Sequence, residues 1–211
     1  MDKEIGVQKI TLTQGCPNGC LYCYEPKKEY KTFPMCNITE KNIQILDMNF
    51  LSNPEWENHA TYLHGAGCNT ELVCGIDYRL LTQEKAYILW NMGFIKIRWA
   101  WDYGFELQKV HNIVWRMLKK AGYKNDKLSI FVLCDWKIPY EECLKKLDLL
   151  KVWNVKINDC WFDGVVSPNF QCNYWSLEQC KDFRRKCRKH NQLVLFKIDP
   201  EMKTKNMIDG N

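Results

Sequence analysis

The chain lacks several features that would place a protein in a class at once. No apolar run approaches the ~18 residues that a membrane-spanning helix needs, so we expect no membrane partner. Residues 1–4 lack the basic and apolar segments of a secretory signal, which favours a cytoplasmic location. No linker rich in proline, glycine or serine interrupts the sequence, so we expect a single domain over residues 1–211. We expect its core to cover about residues 7–200 and residues 202–211 to form a frayed tail.

The composition adds limits of its own. A hydrophobic share of 46% can build a sizeable core, which excludes wholesale disorder. The net charge of +5 is mild and permits anionic partners without requiring nucleic acid. The 12 cysteines are the unusual number. In a reducing cytosol, cysteine clusters bind metal or carry out chemistry more often than they form disulfides.

Short β-rich runs alternate with helical patterns along the chain. The sequence predicts strands at residues 7–12, 43–48, 72–78, 94–99, 128–133 and 152–157, with a candidate last strand at 193–198. Thr82 and Ser176 are predicted helix N-caps, Pro139 opens a helix, and Gly122 ends one. Alternating strands and helices indicate an α/β fold with a parallel sheet. Because the units are too few for an eight-fold barrel, we expect a partial (βα)6-type, TIM-like barrel.

Three cysteines stand close together after the first predicted strand. Cys16, Cys20 and Cys23 have the spacing C-x3-C-x2-C. Turn conformations are supplied by Gly15 just before them and by Pro17, Asn18 and Gly19 within the motif. Three thiolates can hold an iron–sulfur cluster and leave one iron open to another ligand. A structural zinc site requires four ligands, usually from two C-x2-C pairs, and the sequence has no second pair.

With Tyr22 in the aromatic position, this segment resembles the C-x3-C-x-aromatic-C signature of the radical S-adenosylmethionine superfamily. The resemblance covers about residues 7–200. It implies that the three cysteines hold a 4Fe-4S cluster whose open iron binds S-adenosylmethionine. It also implies cleavage of that molecule to a 5′-deoxyadenosyl radical, which takes hydrogen from a substrate that the sequence does not identify.

The same resemblance implies further cofactor contacts. The segment from Asp47 to Phe50 resembles the Asp-x-Asn-Phe segment of many members, so Asp47 and Asn49 would meet the amino group of S-adenosylmethionine. Asp102 lies just past the fourth strand and would bind the ribose or the methionyl part. Tyr22 would lie by the adenine. The backbone of Val155 to Ile157, at the predicted end of the sixth strand, would lie along the edge of the adenine ring.

Aromatic residues cluster where several predicted strands end. Trp99, Trp101, Trp136 and Trp161 either wall a dry reaction chamber or simply cover the rim of the barrel. If they wall a chamber, Asp102, Asp135 and Asp159 would supply polar contacts to the substrate. Arg79 and Arg98 would meet a substrate carboxylate or form structural ion pairs. Cys160, at a strand end, is a candidate hydrogen donor to a radical intermediate.

The remaining cysteines and charges allow competing interpretations. Cys160, Cys172, Cys180 and Cys187 would form an auxiliary cluster, or pack in the core as most free cysteines do. The histidines have no metal-ligand spacing, and His111 is expected at a surface or boundary. The basic run at residues 184–190 is a solvated helix face, or it docks an acidic flavodoxin- or ferredoxin-type electron donor, RNA or phosphate.

Two other functional classes stay open beside the radical enzyme. A zinc-binding, basic nucleic-acid module would explain the charge and the cysteines but not the βα alternation, so nucleic acid is a partner without support of its own. A non-catalytic iron–sulfur scaffold would bind a cluster without cleaving S-adenosylmethionine. The substrate itself lies beyond the sequence, because loop residues rather than the fold determine it.

Overall fold

The computed structural model of the protein describes residues 6–23, 25, 28–161 and 174–197. Its centre is a six-stranded parallel sheet. The strands are β1 (Val7–Ile10), β4 (Asn42–Ile45), β5 (Asn69–Leu72), β6 (Phe94–Trp101), β7 (Leu128–Cys134) and β8 (Lys156–Trp161). A short antiparallel ribbon, β2 (Thr13–Gln14) with β3 (Lys31–Thr32), lies between the first two of them in the chain.

Helices follow the strands from β4 to β8, one after each. They are α1 (Trp56–Gly65), α2 (Gln83–Asn91), α3 (Gln108–Ala121), α4 (Tyr140–Trp153) and α5 (Leu177–Phe196). The strands are neighbours in strict chain order, without the reversal that creates the switch point of a doubly wound sheet. Because crossover connections share one hand, this order places the helices on one face of the sheet. The α/β class and the parallel sheet are therefore confirmed.

The two faces of the sheet differ in what covers them. In β6, Trp99 and Trp101 are fully buried, and Trp101 stacks on Trp153 of α4. The alternate residues Arg98 and Ala100 are only partly buried. Since successive side chains of a strand point to opposite faces, one face packs under helices while the other stays accessible. We call the second one the open face, and Arg98 and Ala100 belong to it.

Local signals predicted the helix ends well. Thr82 accepts a hydrogen bond from the backbone N–H of Lys85 at the start of α2. Ser176 forms a complete capping box with Gln179 at the start of α5. Gly122, with φ of 120°, follows α3, and Pro139 precedes α4. These short-range rules work because each cap is completed within three or four residues.

Three predicted strands were wrong in their bounds or type, and one of them, at residues 152–157, is β8 at Lys156–Trp161. The strand predicted at residues 72–78 lies at Asn69–Leu72. Its polar residue Glu71 is buried and interrupts the apolar pattern by which a buried strand is recognised. The strand predicted at residues 193–198 is wrong over the described residues 193–196, because α5 continues through Phe196. The helical period there is carried by the buried residues Phe183, Cys187, His190 and Val194.

The last described helix also covers the edge of the sheet. His190 hydrogen-bonds to the carbonyl of Val155 at 2.7 Å. The amide of Asn191 accepts from the backbone N–H of Ile157 at 2.9 Å and donates to its carbonyl at 2.7 Å. Edge strands expose unpaired backbone groups, and α5 satisfies those of β8 with side chains. None of the helices in the described part of the chain is both long enough and apolar enough to cross a membrane.

Candidate functional site

The three cysteines of the motif lie on one loop that follows β2. Gly15 opens this loop with a left-handed φ of 77°. A Cβ at Gly15 would lie 2.9 Å from the carbonyl oxygen of Lys28, so the close approach of the two segments requires glycine. The buried Glu25 accepts a hydrogen bond from the N–H of Gly15 at 3.3 Å and from the ammonium of Lys28 at 3.0 Å. These contacts fix the loop at its base.

The thiols are half-buried and influence one another. Burial raises the pKa of Cys16, and the neighbouring Cys20 and Cys23 raise it further. Burial likewise raises the pKa of Cys23, with Cys20 contributing. Cys23 Sγ accepts a hydrogen bond from the backbone N–H of Glu25 at 3.5 Å. Such N–H donors stabilise a thiolate, and they are among the features that tune an iron–sulfur site.

The fit of this loop to a cluster rests on the chemistry of its donors. No three Cys, His, Asp or Glu side chains of the described residues converge to hold a single metal ion. A 4Fe-4S cluster, however, takes one thiolate per iron, so its sulfur ligands do not meet at one point. Cys16, Cys20 and Cys23 are the residues that would hold it, and metal binding would deprotonate thiols whose pKa is now raised.

Tyr22 joins the cysteine loop to the end of β6. Its hydroxyl donates a 2.7 Å hydrogen bond to Oδ2 of Asp102, the first residue after that strand. Burial raises the pKa of Tyr22, and the adjacent Asp102 carboxylate raises it further. The Tyr22 ring also meets the ring of Trp136 edge-on, with centroids 6.3 Å apart. The loop thus lies over the carboxyl end of the sheet, where α/β proteins bind their ligands.

Asp47 and Asn49 follow β4 at the same end of the sheet. Asp47 Oδ1 accepts hydrogen bonds from the N–H groups of Leu12 (2.7 Å) and Thr13 (3.1 Å), which ties β4 to the start of the cysteine segment. Asn49 Oδ1 accepts from the N–H of Asp77 at 3.2 Å. The other side-chain atoms, Oδ2 of Asp47 and Nδ2 of Asn49, are buried and have no partner within the described residues. Orphaned polar atoms of this kind are costly unless a ligand completes them.

Asp77 belongs to the site, although the motif analysis did not single it out. It accepts a 2.9 Å hydrogen bond from the amide of Asn18 in the cysteine loop. It also forms an ion pair with Arg79 at 2.6 Å, which lowers the pKa of Asp77 despite its burial. Its backbone N–H contacts Asn49 as described above. No local signal marked Asp77, because it lies beyond the end of β5 at Leu72 and within the strand that was predicted at residues 72–78. Arg79 is its ion-pair partner here.

Lys146 is a second residue that sequence reasoning missed. It is fully buried in α4, and its ammonium donates to the backbone carbonyls of Trp101 (3.3 Å) and Tyr103. These carbonyls flank Asp102. Burial lowers the pKa of Lys146 and raises the pKa of Asp102, while each group's charge favours the ionised form of the other. Lys146 therefore holds the turn that presents Asp102 to Tyr22.

The predicted adenine contact at Val155 to Ile157 needs correction in its place on the strand. The sequence predicted a strand ending at residue 157, but β8 begins at Lys156 and ends at Trp161. Val155 and Ile157 are fully buried at the beginning of the strand, and His190 and Asn191 occupy their backbone groups. Binding residues gather at carboxyl ends, so the backbone near Cys160 is the part of β8 that reaches the site.

Cys160 lies near the carboxyl end of β8. It pairs in register with Leu133 on the open face and is half-buried. Burial raises the pKa of Cys160 to about 12, with the negative charges of Asp102 and Asp159 contributing. A thiol in this environment keeps its hydrogen at neutral pH, as a hydrogen donor requires.

The other predicted candidates serve mainly structural roles. Asp135 accepts from the N–H groups of Tyr174 and Trp175, both at 2.8 Å. Asp159 accepts from the indole of Trp161 at 2.7 Å and from Arg184 at 3.3 Å. Trp99 and Trp101 are core residues, whereas Trp136 and Trp161 are partly exposed.

Of the proposed auxiliary cluster, Cys180 and Cys187 lie on the buried side of α5 beside Phe183. Cys172 lies outside the described residues. His111 is fully buried rather than at a boundary, stacked on Trp101 with ring centroids 4.4 Å apart.

The basic run lines a shallow cleft of about 380 Å³ on the outer side of α5. Its walls are Lys181, Arg184, Arg185, Arg188, Lys189 and Gln192. Arg184 lies 5.2 Å from the ring centre of Trp161, and Arg185 pairs with Asp182 at 2.6 Å. We call this surface the α5 cleft.

No protein-family model matches this chain, and no curated protein matches it. The residues and their geometry therefore carry the functional argument alone.

Proposed function

We propose that this protein is a radical S-adenosylmethionine enzyme built on a partial (βα)6-type, TIM-like barrel. The observation that carries the proposal is the seat of the C-x3-C-x2-C loop at the carboxyl end of the sheet, joined to Asp102 through Tyr22. The unbroken chain order of six parallel strands supports the barrel, because barrels are built from neighbouring βα units. When bound, the 4Fe-4S cluster and S-adenosylmethionine supply a 5′-deoxyadenosyl radical that abstracts hydrogen from the substrate.

The described residues fit the tasks that remain for the protein. Oδ2 of Asp47 and Nδ2 of Asn49 are unsatisfied in their buried positions and would bind the amino and carboxylate groups of S-adenosylmethionine. Asp102 is oriented by Tyr22 and by the turn that Lys146 holds, and it would bind the ribose or methionyl part. Trp136 and Trp161, which are partly exposed, would cover part of the site and limit the access of water. In cofactor enzymes the protein contributes this binding, orientation and protection.

The proposal requires an external electron, and we propose a flavodoxin- or ferredoxin-type donor as the partner. The α5 cleft offers positive charge that complements such acidic proteins. We also propose a cytoplasmic location. It is supported by the free thiols of all cysteines that the structure describes, since a reducing compartment maintains free thiols.

Anaerobic reconstitution with iron and sulfide tests the function. The reconstituted, dithionite-reduced protein should contain about four irons per chain and convert S-adenosylmethionine to 5′-deoxyadenosine. Cys16→Ala, Cys20→Ala and Cys23→Ala should each abolish cluster absorbance and product. Cys36→Ala is the matched control, because Cys36 is exposed and outside the motif. A cluster without 5′-deoxyadenosine would indicate the non-catalytic scaffold, and zinc without iron or sulfide would indicate the zinc module.

A further inference from the structure

A row of polar side chains crosses three strands on the open face of the sheet. Arg98 of β6 pairs in register with Ser129 of β7, and Ser129 pairs with Lys156 of β8. Residues in register on parallel strands share a face. The amide of Asn158 confirms this alignment by donating a 3.2 Å hydrogen bond to the hydroxyl of Ser129. Lys96, two residues before Arg98, belongs to the same face.

We call Lys96, Arg98 and Lys156 the basic floor. It lies toward the amino end of the sheet, since Lys156 is the first residue of β8. The side chains of Lys96 and Arg98 are 39% and 25% exposed, so a ligand on the open face can reach them. Asp102 follows Arg98 by four residues, or roughly 13 Å along the strand. The basic floor thus lies toward the amino end of the open face, whereas the cysteine loop lies at the carboxyl end of the sheet.

The charges of the basic floor do not balance. Glu71 pairs with Lys96 at 3.0 Å and with Arg98. Lys156 makes no ion pair or hydrogen bond with any residue in the part of the chain that the structure describes. Its pKa is lowered by burial and then by repulsion from Lys96 and Arg98, which the attraction of Asp126 and Glu71 only partly offsets. Lys96 and Arg98 therefore share the one carboxylate of Glu71, and Lys156 lies beside them without an ion pair, so positive charge remains in excess.

Excess positive charge of this kind lowers the stability of the fold unless a bound anion neutralises it. A half-buried ammonium beside two other cations loses hydration and gains repulsion. A structural role would normally supply a carboxylate partner, as Glu71 does for Lys96 and Arg98. Excess positive charge matches an anion, and lysine ammonium groups with a nearby hydroxyl are well suited to phosphate oxygens.

We propose that the basic floor binds the phosphate group of a small molecule, with Lys156 as its principal contact. That this molecule is the substrate of the radical reaction rests on the proposed function. Its remaining part would then extend along the open face toward Asp102, and the ligand class would be a phosphorylated metabolite long enough to span about 13 Å.

Calorimetry of the full chain with inorganic phosphate at constant ionic strength tests this site without iron or S-adenosylmethionine. Lys156→Met should weaken phosphate binding at least tenfold, and Lys156→Arg should retain it. Lys189→Met is the matched control in the α5 cleft and should bind phosphate as the unmodified chain does. Loss in Lys189→Met with none in Lys156→Met would overturn the proposal and assign the anion to the α5 cleft. Succinate binding as tight as phosphate would overturn the assignment to phosphate.

Thermal unfolding separates a binding role from a structural one. In phosphate-free buffer Lys156→Met should unfold at the same or a higher temperature, because the substitution removes repulsion from Lys96 and Arg98. Phosphate should raise the unfolding temperature of the unmodified chain but not of this variant. A clear loss of stability in Lys156→Met without phosphate would show a structural lysine and overturn the proposal. Because neither assay uses the cluster, its outcome is independent of the 5′-deoxyadenosine test.

Discussion

The hydroxyl of Tyr22 and the carboxylate of Asp102 form a 2.7 Å hydrogen bond across 80 residues of sequence. This contact is the direct link between the cysteine loop and the end of β6. It explains why the aromatic residue of the motif is a tyrosine here, since phenylalanine would leave a half-buried carboxylate without that donor.

We predict that Tyr22→Phe leaves the iron content unchanged and weakens the binding of S-adenosylmethionine by about tenfold. The ring would still pack against Trp136, but Asp102 would lose the group that orients it. Equilibrium binding to the reconstituted protein measures the effect. Tyr140→Phe is the control, because it removes a tyrosine–aspartate contact, with Asp182, that is remote from the loop. Equal losses in both variants would show that the Tyr22 contact has no special role.

Gly15 and Gly19 provide a matched pair for the loop backbone. Both have positive φ, but only Gly15 faces atoms that a methyl group would meet, the carbonyl oxygens of Lys28 (2.9 Å) and Glu29 (3.0 Å). We predict that Gly15→Ala lowers the unfolding free energy by about 2–4 kcal/mol, because strain and overlap add. Gly19→Ala should cost about 1 kcal/mol from backbone conformation alone. Urea unfolding of the two variants measures the difference, and equal costs would contradict the close packing at Gly15.

Cys160 should react slowly with alkylating reagents, because burial raises its pKa to about 12. We predict that iodoacetamide modifies the exposed Cys36 within minutes at pH 8 and leaves Cys160 intact, as peptide mass spectrometry would show. Reaction at Cys160 should rise only in strongly alkaline buffer, since the thiolate is the nucleophile. Rapid alkylation of Cys160 in the folded protein at pH 8 would contradict both its burial and its candidacy as a hydrogen donor.

The parts of the fold that follow local rules were predictable. The caps at Thr82 and Ser176 and the cysteine loop each depend on residues a few positions apart. The start of β8 was misplaced because Val152 continues the apolar run although it is 80% exposed on α4. A one-dimensional pattern does not reveal which apolar residues the tertiary structure leaves in solvent.

Site residues defined by long-range contacts were harder to foresee. Asp77 acquires its role from Asn18, 59 residues earlier, and Lys146 from the carbonyls around Asp102, more than 40 residues earlier. From the sequence of its helix alone, Lys146 would be expected to be an ordinary surface lysine. Only the sheet order brings the end of β6 against α4, so sequence spacing alone carries no signal for that contact.

His111 was expected near the surface, and its burial makes a prediction about acid stability. The side chain lies between Trp101 and Tyr78, and neither ring nitrogen has a hydrogen-bond partner within the described residues. Burial, together with the smaller effect of the Lys146 charge, lowers the pKa of His111 from 6.5 to about 3. The His111 imidazole is therefore neutral in the folded protein. The contribution to stability is complete above pH 6.5 and is lost as the pH falls toward 3, because the unfolded chain binds the proton first.

We predict that His111→Phe, which keeps the ring stack, reduces the decline of unfolding free energy between pH 6.5 and pH 3. A shift of one pKa unit corresponds to about 1.4 kcal/mol, so the difference between the proteins should reach several kcal/mol at the acid end. His64→Phe is the matched control, since it makes the same change at a histidine that is exposed on α1. Denaturant titrations at half-unit pH intervals measure both slopes. An unchanged slope in His111→Phe would show that the imidazole can be protonated in the folded protein, and hence that the Trp101 stack opens to water.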